Sequence, residues 1–256
     1  KVIDLSADFR LKSVSEYEEW YNVEHPLPEL MEDAVYGLTE LHRAEIAASG
    51  LVANPGCYPT GAILALAPAV KAGIIDSDFI VDGKSGVSGA GRGLGLTTHY
   101  SEVNESVRAY SMDGHRHLPE ITQELNLVGN QEARVTFLPH LIPMTRGILS
   151  SCYASIKPGA LPSGEAGIGA LHNLYEDYYR DEIFVKVMSE PPHTKHTLGN
   201  NDCVIYPTID LRTDRLMVVS AIDNLVKGAA GQAVQNMNVM FGLPEDMGLK
   251  ALALYP

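Results

Sequence analysis

Asn54-Pro55-Gly56-Cys57-Tyr58-Pro59-Thr60 is the stretch from which both the fold and the chemistry are read. Before it, Gly50-Leu51-Val52-Ala53 reads as the end of a short strand. After it, the run from Gly61 to Lys71 is apolar and small-sided and reads as a buried helix. Cys57 therefore sits on a strand-to-helix turn, with Pro59 in the first helical turn, where its missing N–H costs nothing. A thiol there faces unpaired N–H groups and the positive end of the helix dipole, and both favour the thiolate. Gly56 leaves room beside the sulfur. The competing reading of the same turn is a buried structural cysteine.

The rest of the composition bounds what such a cysteine can do. The chain has 256 residues, 45% of them apolar and 20% charged, enough for one large domain or two small ones. A net charge of -13 argues against nucleic acid or an anionic membrane as partner, but not against a small anionic ligand in a local basic pocket. Three widely spaced cysteines, Cys57, Cys152 and Cys203, fit a reducing compartment such as the cytoplasm rather than a disulfide scaffold. No apolar run reaches membrane-spanning length. The chain opens directly into a strand, Lys1 to Leu5, and reads as lacking an upstream part.

Outward from the cysteine turn, the elements alternate and then change character. On the N-terminal side are the first strand, a helix around Ser15–Tyr21, and a helix through Ala48 with Thr39 as its N-cap. On the C-terminal side, Phe79–Val81 reads as a strand running into Gly83–Gly93, which is too glycine-rich for a regular element and reads as a loop. A helix starts near Pro119. Strands are expected at Arg134–Leu138, Gly147–Ile156, Phe184–Met188, Cys203–Leu211 and Leu216–Ile222. Helices are expected at Glu165–Tyr179 and, as one long element, Leu225–Phe241. This is α/β first and α+β with a mixed or antiparallel sheet second, with the boundary near Asn54–Thr60.

A nucleophilic cysteine works with a base. His115 and His117 stand just before Pro119, at a helix start that disfavours the imidazolium and keeps the ring ready to take a proton. At spacing i, i+2 in extended chain they point to opposite sides, so one of them is expected to face Cys57. Capping or surface histidines are the alternative. The glycine-rich loop could present backbone N–H groups to a phosphate, with Lys84 and Arg92 adding charge, but it fits neither a Walker nor a Rossmann fingerprint. Arg10 and Arg146 are the best-placed single arginines for an anionic substrate. His193, His196 and Cys203 make a poor metal set in type and spacing, and no metal is expected.

These pieces together resemble the N-acetyl-gamma-glutamyl-phosphate reductase family of arginine biosynthesis. The match rests on Val52–Gly61 with Ala65-Leu66 and Pro68, on Asp4–Arg10, and on Lys84–Arg92. It extends to His115-Arg116-His117 with Pro119-Glu120-Ile121, to Pro139–Met144, and to Ile222–Ala229, so that it covers essentially the whole chain. One departure stands out: the family's Gly-x-x-Gly-x-x-Gly pyrophosphate turn belongs upstream of Asp4 and is not in this sequence. The resemblance implies a partial Rossmann-like NADP domain (residues 1–56), a glyceraldehyde-phosphate-dehydrogenase-like catalytic and oligomerisation domain (57–224), and a C-terminal helix returning to the first domain (225–256). It implies that Cys57 attacks an acyl phosphate, that NADPH reduces the resulting thioester, and that His115 or His117 moves the proton. It also implies cofactor contacts from Ser85, Gly86, Gly89 and Asn224, and substrate contacts from Arg10, Asn54 and Arg92. A homo-oligomer, dimer or tetramer, in the cytoplasm (or a plastid, in a plant) completes the expectation. The rivals are another acyl-phosphate reductase, such as an aspartate-semialdehyde dehydrogenase, and a Cys–His thiol hydrolase that needs no nucleotide.

Overall fold

The structure, a computed structural model, describes residues 1–255. The chain opens with β1 (Val2–Asp4), α1 (Val14–Tyr21), β2 (Ala34–Tyr36), α2 (Thr39–Ala48) and β3 (Leu51–Ala53). The three strands form a parallel sheet in the order β1-β3-β2. α1 begins where the Ser13 hydroxyl accepts the Glu16 N–H at 3.2 Å, a side-chain N-cap. The expected cap of α2 is corrected by one residue. Leu38 is the N-cap and Thr39 is already helical, because the Thr39 hydroxyl donates instead to Asn236 Oδ1, 2.7 Å away across a buried interface.

α3 (Cys57–Lys71) follows β3 after a three-residue turn and is buried over almost its whole length. That is why its sequence is apolar on every side rather than on one stripe. Pro68 lies inside it and removes the N–H that Leu64 O would accept. The freed carbonyl is taken up by the Tyr179 hydroxyl at 2.5 Å, and Ala65 O by the Tyr175 hydroxyl at 2.7 Å. A helix break is thereby converted into an anchor for a neighbouring helix.

The remaining elements are β4 (Ile75–Ser85), α4 (Tyr100–Val103), β5 (Arg108–Ala109), α5 (Leu118–Gly129), β6 (Arg134–Leu141), β7 (Ile148–Ile156), α6 (Glu165–Tyr178), β8 (Val185–Val187), β9 (Cys203–Asp210), β10 (Arg215–Ile222) and α7 (Gly231–Met240). Seven strands make one mixed sheet, β5-β6-β4-β7-β10-β9-β8, with β4–β6 and β8–β9 parallel and the other pairs antiparallel. α3, α5 and α6 cover one face of it around the main apolar core. The other face carries no helix and presents rows such as Thr136–Ile80–Tyr153–Met217–Thr208. No helix of the described residues is long and apolar enough to cross a membrane.

Two expectations for this half are revised. Gly83-Lys84-Ser85 is not loop but the end of β4, paired with β6 on one side and β7 on the other. A strand held from both sides tolerates glycine that an isolated pattern would not. The last helix is not continuous either: Val226–Ala230 forms a π-turn before α7 begins. α7 then packs against α2 and β1 of the first sheet.

Candidate active site

Cys57 is the first residue of α3, directly after the last strand of the first sheet and beside the ends of the second. It lines a cavity of about 240 Å³ together with Arg10, Asn54, Gly56, Ser88, Gly89, His117, Asn224 and Gly228, among others. Residues scattered from one end of the chain to the other thus meet at one helix start.

The cysteine turn is fixed from beneath by Glu120, a fully buried carboxylate on α5. Its Oε2 accepts the Gly56 N–H at 2.9 Å and the Tyr36 hydroxyl at 3.0 Å, and its Oε1 accepts an Arg10 N–H at 3.2 Å. The same Arg10 guanidinium donates to Asn54 O at 2.8 Å and Leu5 O at 3.1 Å. Three of its five N–H groups are thereby used within the protein, and two are left for a ligand at the cavity wall. Burial pulls the Arg10 pKa down, but Glu120 together with Tyr36 and Tyr21 outweighs it and the net shift is upward, so Arg10 stays charged. Asn54 is likewise committed: its amide donates to Ala229 O at 3.0 Å and its Oδ1 accepts from Asn236 at 3.2 Å.

The structure separates the two histidines. His117 lines the cavity, its ring lying so close to Gly56 that a Cβ there would sit 2.6 Å from Nε2. Its Nδ1 is buried without a partner, and its Nε2 is 4.0 Å from Glu120 Oε1. His115 stands behind it, packed edge-on against Tyr58, Tyr110 and Phe137, and its Nδ1 accepts the His117 backbone N–H at 3.1 Å. Both rings are neutral, each held down to about 3, chiefly because burial disfavours the imidazolium. The expected neutrality is present, but burial rather than the helix dipole is its main cause.

Burial also overturns the expected thiolate. It pushes the Cys57 thiol up to about 11, against the smaller opposing effects of the Tyr58 N–H and the Arg10 charge. The helix start acts in the expected direction and is outweighed by loss of solvent. The resting pair is therefore thiol and neutral imidazole.

The opposite wall is built by the 86–91 turn and the 143–147 loop. Val87 and Ser88 donate their N–H groups to Met144 O and Thr145 O, and Gly86 to Gly147 O. Asn224 ties the two together. Its Oδ1 accepts the Gly147 N–H at 2.7 Å, and its Nδ2 donates to Ser88 Oγ at 3.0 Å, leaving one amide N–H for the cavity. Gly89 lines the cavity, while Ser85 and Gly86 lie behind it, with Ser85 Oγ donating to Gly86 O at 2.9 Å. Arg92 is not brought to Cys57. It lines a separate surface cavity with Leu94, Thr98, Tyr100 and Met144, and Ser88 is the wall common to both. Arg146 also stands outside, on Asp223 at 3.4 Å.

Four residues of the site escaped sequence reasoning: Glu120, Tyr36, Ser88 and Gly228. Glu120 carried a signal, since it stands three residues after His117 at the start of the same helix. Ser88 and Gly228 sat in small-residue runs that offered no way to choose among neighbours.

A family model described as semialdehyde dehydrogenase, dimerisation domain, matches residues 57–224. An N-acetyl-gamma-glutamyl-phosphate reductase of Dehalococcoides mccartyi is 57% identical over 257 residues, covering all of this chain and 74% of that protein. One from Pelotomaculum thermopropionicum is 58% identical over 259 residues, covering all of this chain and 73% of that one. Among solved structures, aspartate semialdehyde dehydrogenase II from Vibrio cholerae superposes with a TM-score of 0.64 at 15% identity, covering 90% of this chain and 77% of that one. Aspartate semialdehyde dehydrogenase with NADP from Candida albicans gives 0.54 at 15% identity, covering 81% and 66%.

Proposed function

This chain belongs to the N-acetyl-gamma-glutamyl-phosphate reductases, within the semialdehyde dehydrogenases, and from that premise we propose which residues carry the reaction and how. The observation that supports the reading most is the shared cavity: Cys57, His117, Arg10 and Asn224 line one space.

Cys57 Sγ attacks the acyl carbon of N-acetyl-glutamyl 5-phosphate and the bond to phosphate breaks. The thiol proton passes by way of the His117 ring, which lines the cavity beside Gly56, to the departing phosphate. Arg10, charged and with two free N–H groups, receives the phosphate. The product of this step is a thioester on Cys57. A nicotinamide dinucleotide, when bound, would supply the hydride that reduces this thioester. The tetrahedral adduct then collapses to the 5-semialdehyde, and the released Cys57 sulfur takes a proton that reaches it from solvent through the His117 ring, restoring the thiol. His115 positions His117 from behind, and Glu120 holds Gly56, and with it Cys57, against α5.

The residues present fit the nicotinamide half of such a cofactor. Gly89 and Gly228 keep two walls free of side chains, and Asn224 has one amide N–H to offer. We assign NADP as the cofactor. The face of the large sheet that carries no helix, with Ile80 40% exposed on it, is where a second copy of the chain docks to make a dimer.

The test is the reverse reaction of the purified enzyme. It oxidises N-acetyl-glutamate 5-semialdehyde only when both phosphate and NADP are supplied. Preference for aspartate semialdehyde overturns the substrate, and nucleotide-independent ester hydrolysis overturns the reaction type.

A further inference from the structure

A fully buried ammonium sits one residue away from the glycine that faces Cys57. Lys227 has no solvent exposure and donates to Glu40 Oε1 at 2.6 Å and Gln235 Oε1 at 2.7 Å; Glu40 is equally buried. Its Nζ also lies over an aromatic face, 5.7 Å from the Phe184 ring centre. Burial raises the Glu40 carboxyl, but the Lys227 charge together with the hydrogen bonds from Lys227 and Gln235 outweighs it and holds the carboxyl below its ordinary range. A buried ion pair of this kind is poor value for stability, since an apolar pair of similar volume often does as well. Its position in the fold gives it another use.

Lys227 belongs to the π-turn Val226–Ala230, in which Ala230 N–H reaches Leu225 O and Gly231 N–H reaches Val226 O. π-turns are one-residue insertions in a helix and occur mostly at functional sites. The next two residues after Lys227 touch the cysteine turn. A Cβ on Gly228 would stand 2.8 Å from Cys57 Cβ, and Ala229 O accepts the Asn54 amide at 3.0 Å. The ammonium points the other way, into α2 through Glu40 and α7 through Gln235.

If the turn relaxed to a regular α-helix, each residue beyond the insertion would rotate by about 100° about the axis. A residue with a side chain, Lys227 or Ala229, would then face Cys57 in place of Gly228. We infer that Lys227 is a positioning residue: its buried pairing with Glu40 fixes the register of the π-turn so that Gly228, and no side chain, stands opposite Cys57. Gly228 packs directly on the Cβ and Cα of the residue whose sulfur carries the acyl group, so the inference rests on the function proposed for Cys57.

The test is the double variant Lys227→Met/Glu40→Leu, which replaces the ion pair by apolar volume and leaves no buried charge unpaired. The rate of Cys57 alkylation by iodoacetamide is read by mass spectrometry, beside melting temperature, kcat and KM. The expected result is a folded protein with near-unchanged melting temperature and KM, alkylation slowed about tenfold or more, and kcat lowered about a hundredfold. A folded double variant with the parent's alkylation rate and kcat overturns the inference. Should the double variant not fold, Lys227→Met decides, since it removes the pairing while Glu40 keeps the Gln235 amide as a hydrogen-bond donor. Slower alkylation at unchanged melting temperature supports the register role, and an unchanged rate overturns it. Alkylation reads the space around the sulfur without turnover. Full activity of Cys57→Ala would thus defeat the proposed function while leaving this result legible.

Discussion

The two walls of the Cys57 cavity are built on opposite principles. The α3–α5 wall is held by buried charge: Glu120 gathers Gly56, Tyr36 and Arg10, and His115 backs His117 with a ring of aromatics. The 86–92 wall is held by backbone hydrogen bonds to the 143–147 loop and by the Asn224 amide, and beyond it the chain runs exposed through Arg92 and Leu94. The wall that carries Cys57 and His117 is the one from which solvent is excluded, and the opposite wall is glycine-rich and lightly tied. Exclusion of solvent has a chemical consequence, because it keeps both thiol and imidazole neutral at rest.

Substitutions on the two walls should therefore differ in size and in kind. Cys57→Ala is expected to abolish semialdehyde oxidation to the floor of a spectrophotometric NADPH assay while leaving the melting temperature nearly unchanged. His117→Asn follows, lowering kcat by about 10²–10⁴-fold. His115→Phe, which keeps the ring packing, should lower kcat by less than about tenfold. Equal losses for the two histidines would erase the distinction drawn between them. Glu120→Ala leaves Arg10 buried without its counter-charge and should destabilise the fold by about 3–5 kcal/mol in urea unfolding. On the other wall, Arg92→Ala should change stability by less than about 0.5 kcal/mol in the same measurement, because its side chain is exposed. A large loss there would mean that the second wall is braced as heavily as the first.

Acid should weaken the first wall selectively. His115 and His117 are held down to about 3 by burial, below the value of about 6.5 in an unfolded chain. Between those values the unfolded state binds more protons, so stability rises with pH across that window. The contribution is fully present above about pH 6.5 and is lost as pH falls toward 3. Melting temperature measured against pH should fall less steeply in the double variant His115→Phe/His117→Asn.

The comparison also explains what could be read from the sequence. The turn at Cys57 was legible because its chemistry is local: glycine, proline and a buried helix lie within a few residues of the sulfur. The mixed sheet was legible because β7, β9 and β10 carry continuous apolar or alternating patterns. Long-range effects were not legible. Pro68 inside α3 is tolerated only because Tyr179 arrives from α6, and Gly83–Ser85 is strand only because β6 and β7 flank it. The thiol pKa was misjudged for the same reason. Dipole and N–H groups are set by the neighbouring sequence, whereas burial is set by the whole fold. Arg10 and Arg146 were indistinguishable as single arginines until Glu120, 110 positions from Arg10, showed which one is drawn into the site.

The central claim is that Cys57 carries the acyl group. It is tested by mixing the enzyme with N-acetyl-glutamate 5-semialdehyde and NADP in the absence of phosphate, quenching in acid, and mapping the adduct by mass spectrometry. One N-acetyl-glutamyl thioester is expected, on Cys57, that disappears when phosphate is added and never forms in Cys57→Ala. Phosphate-dependent turnover with no adduct, or with the adduct on another residue, would contradict it.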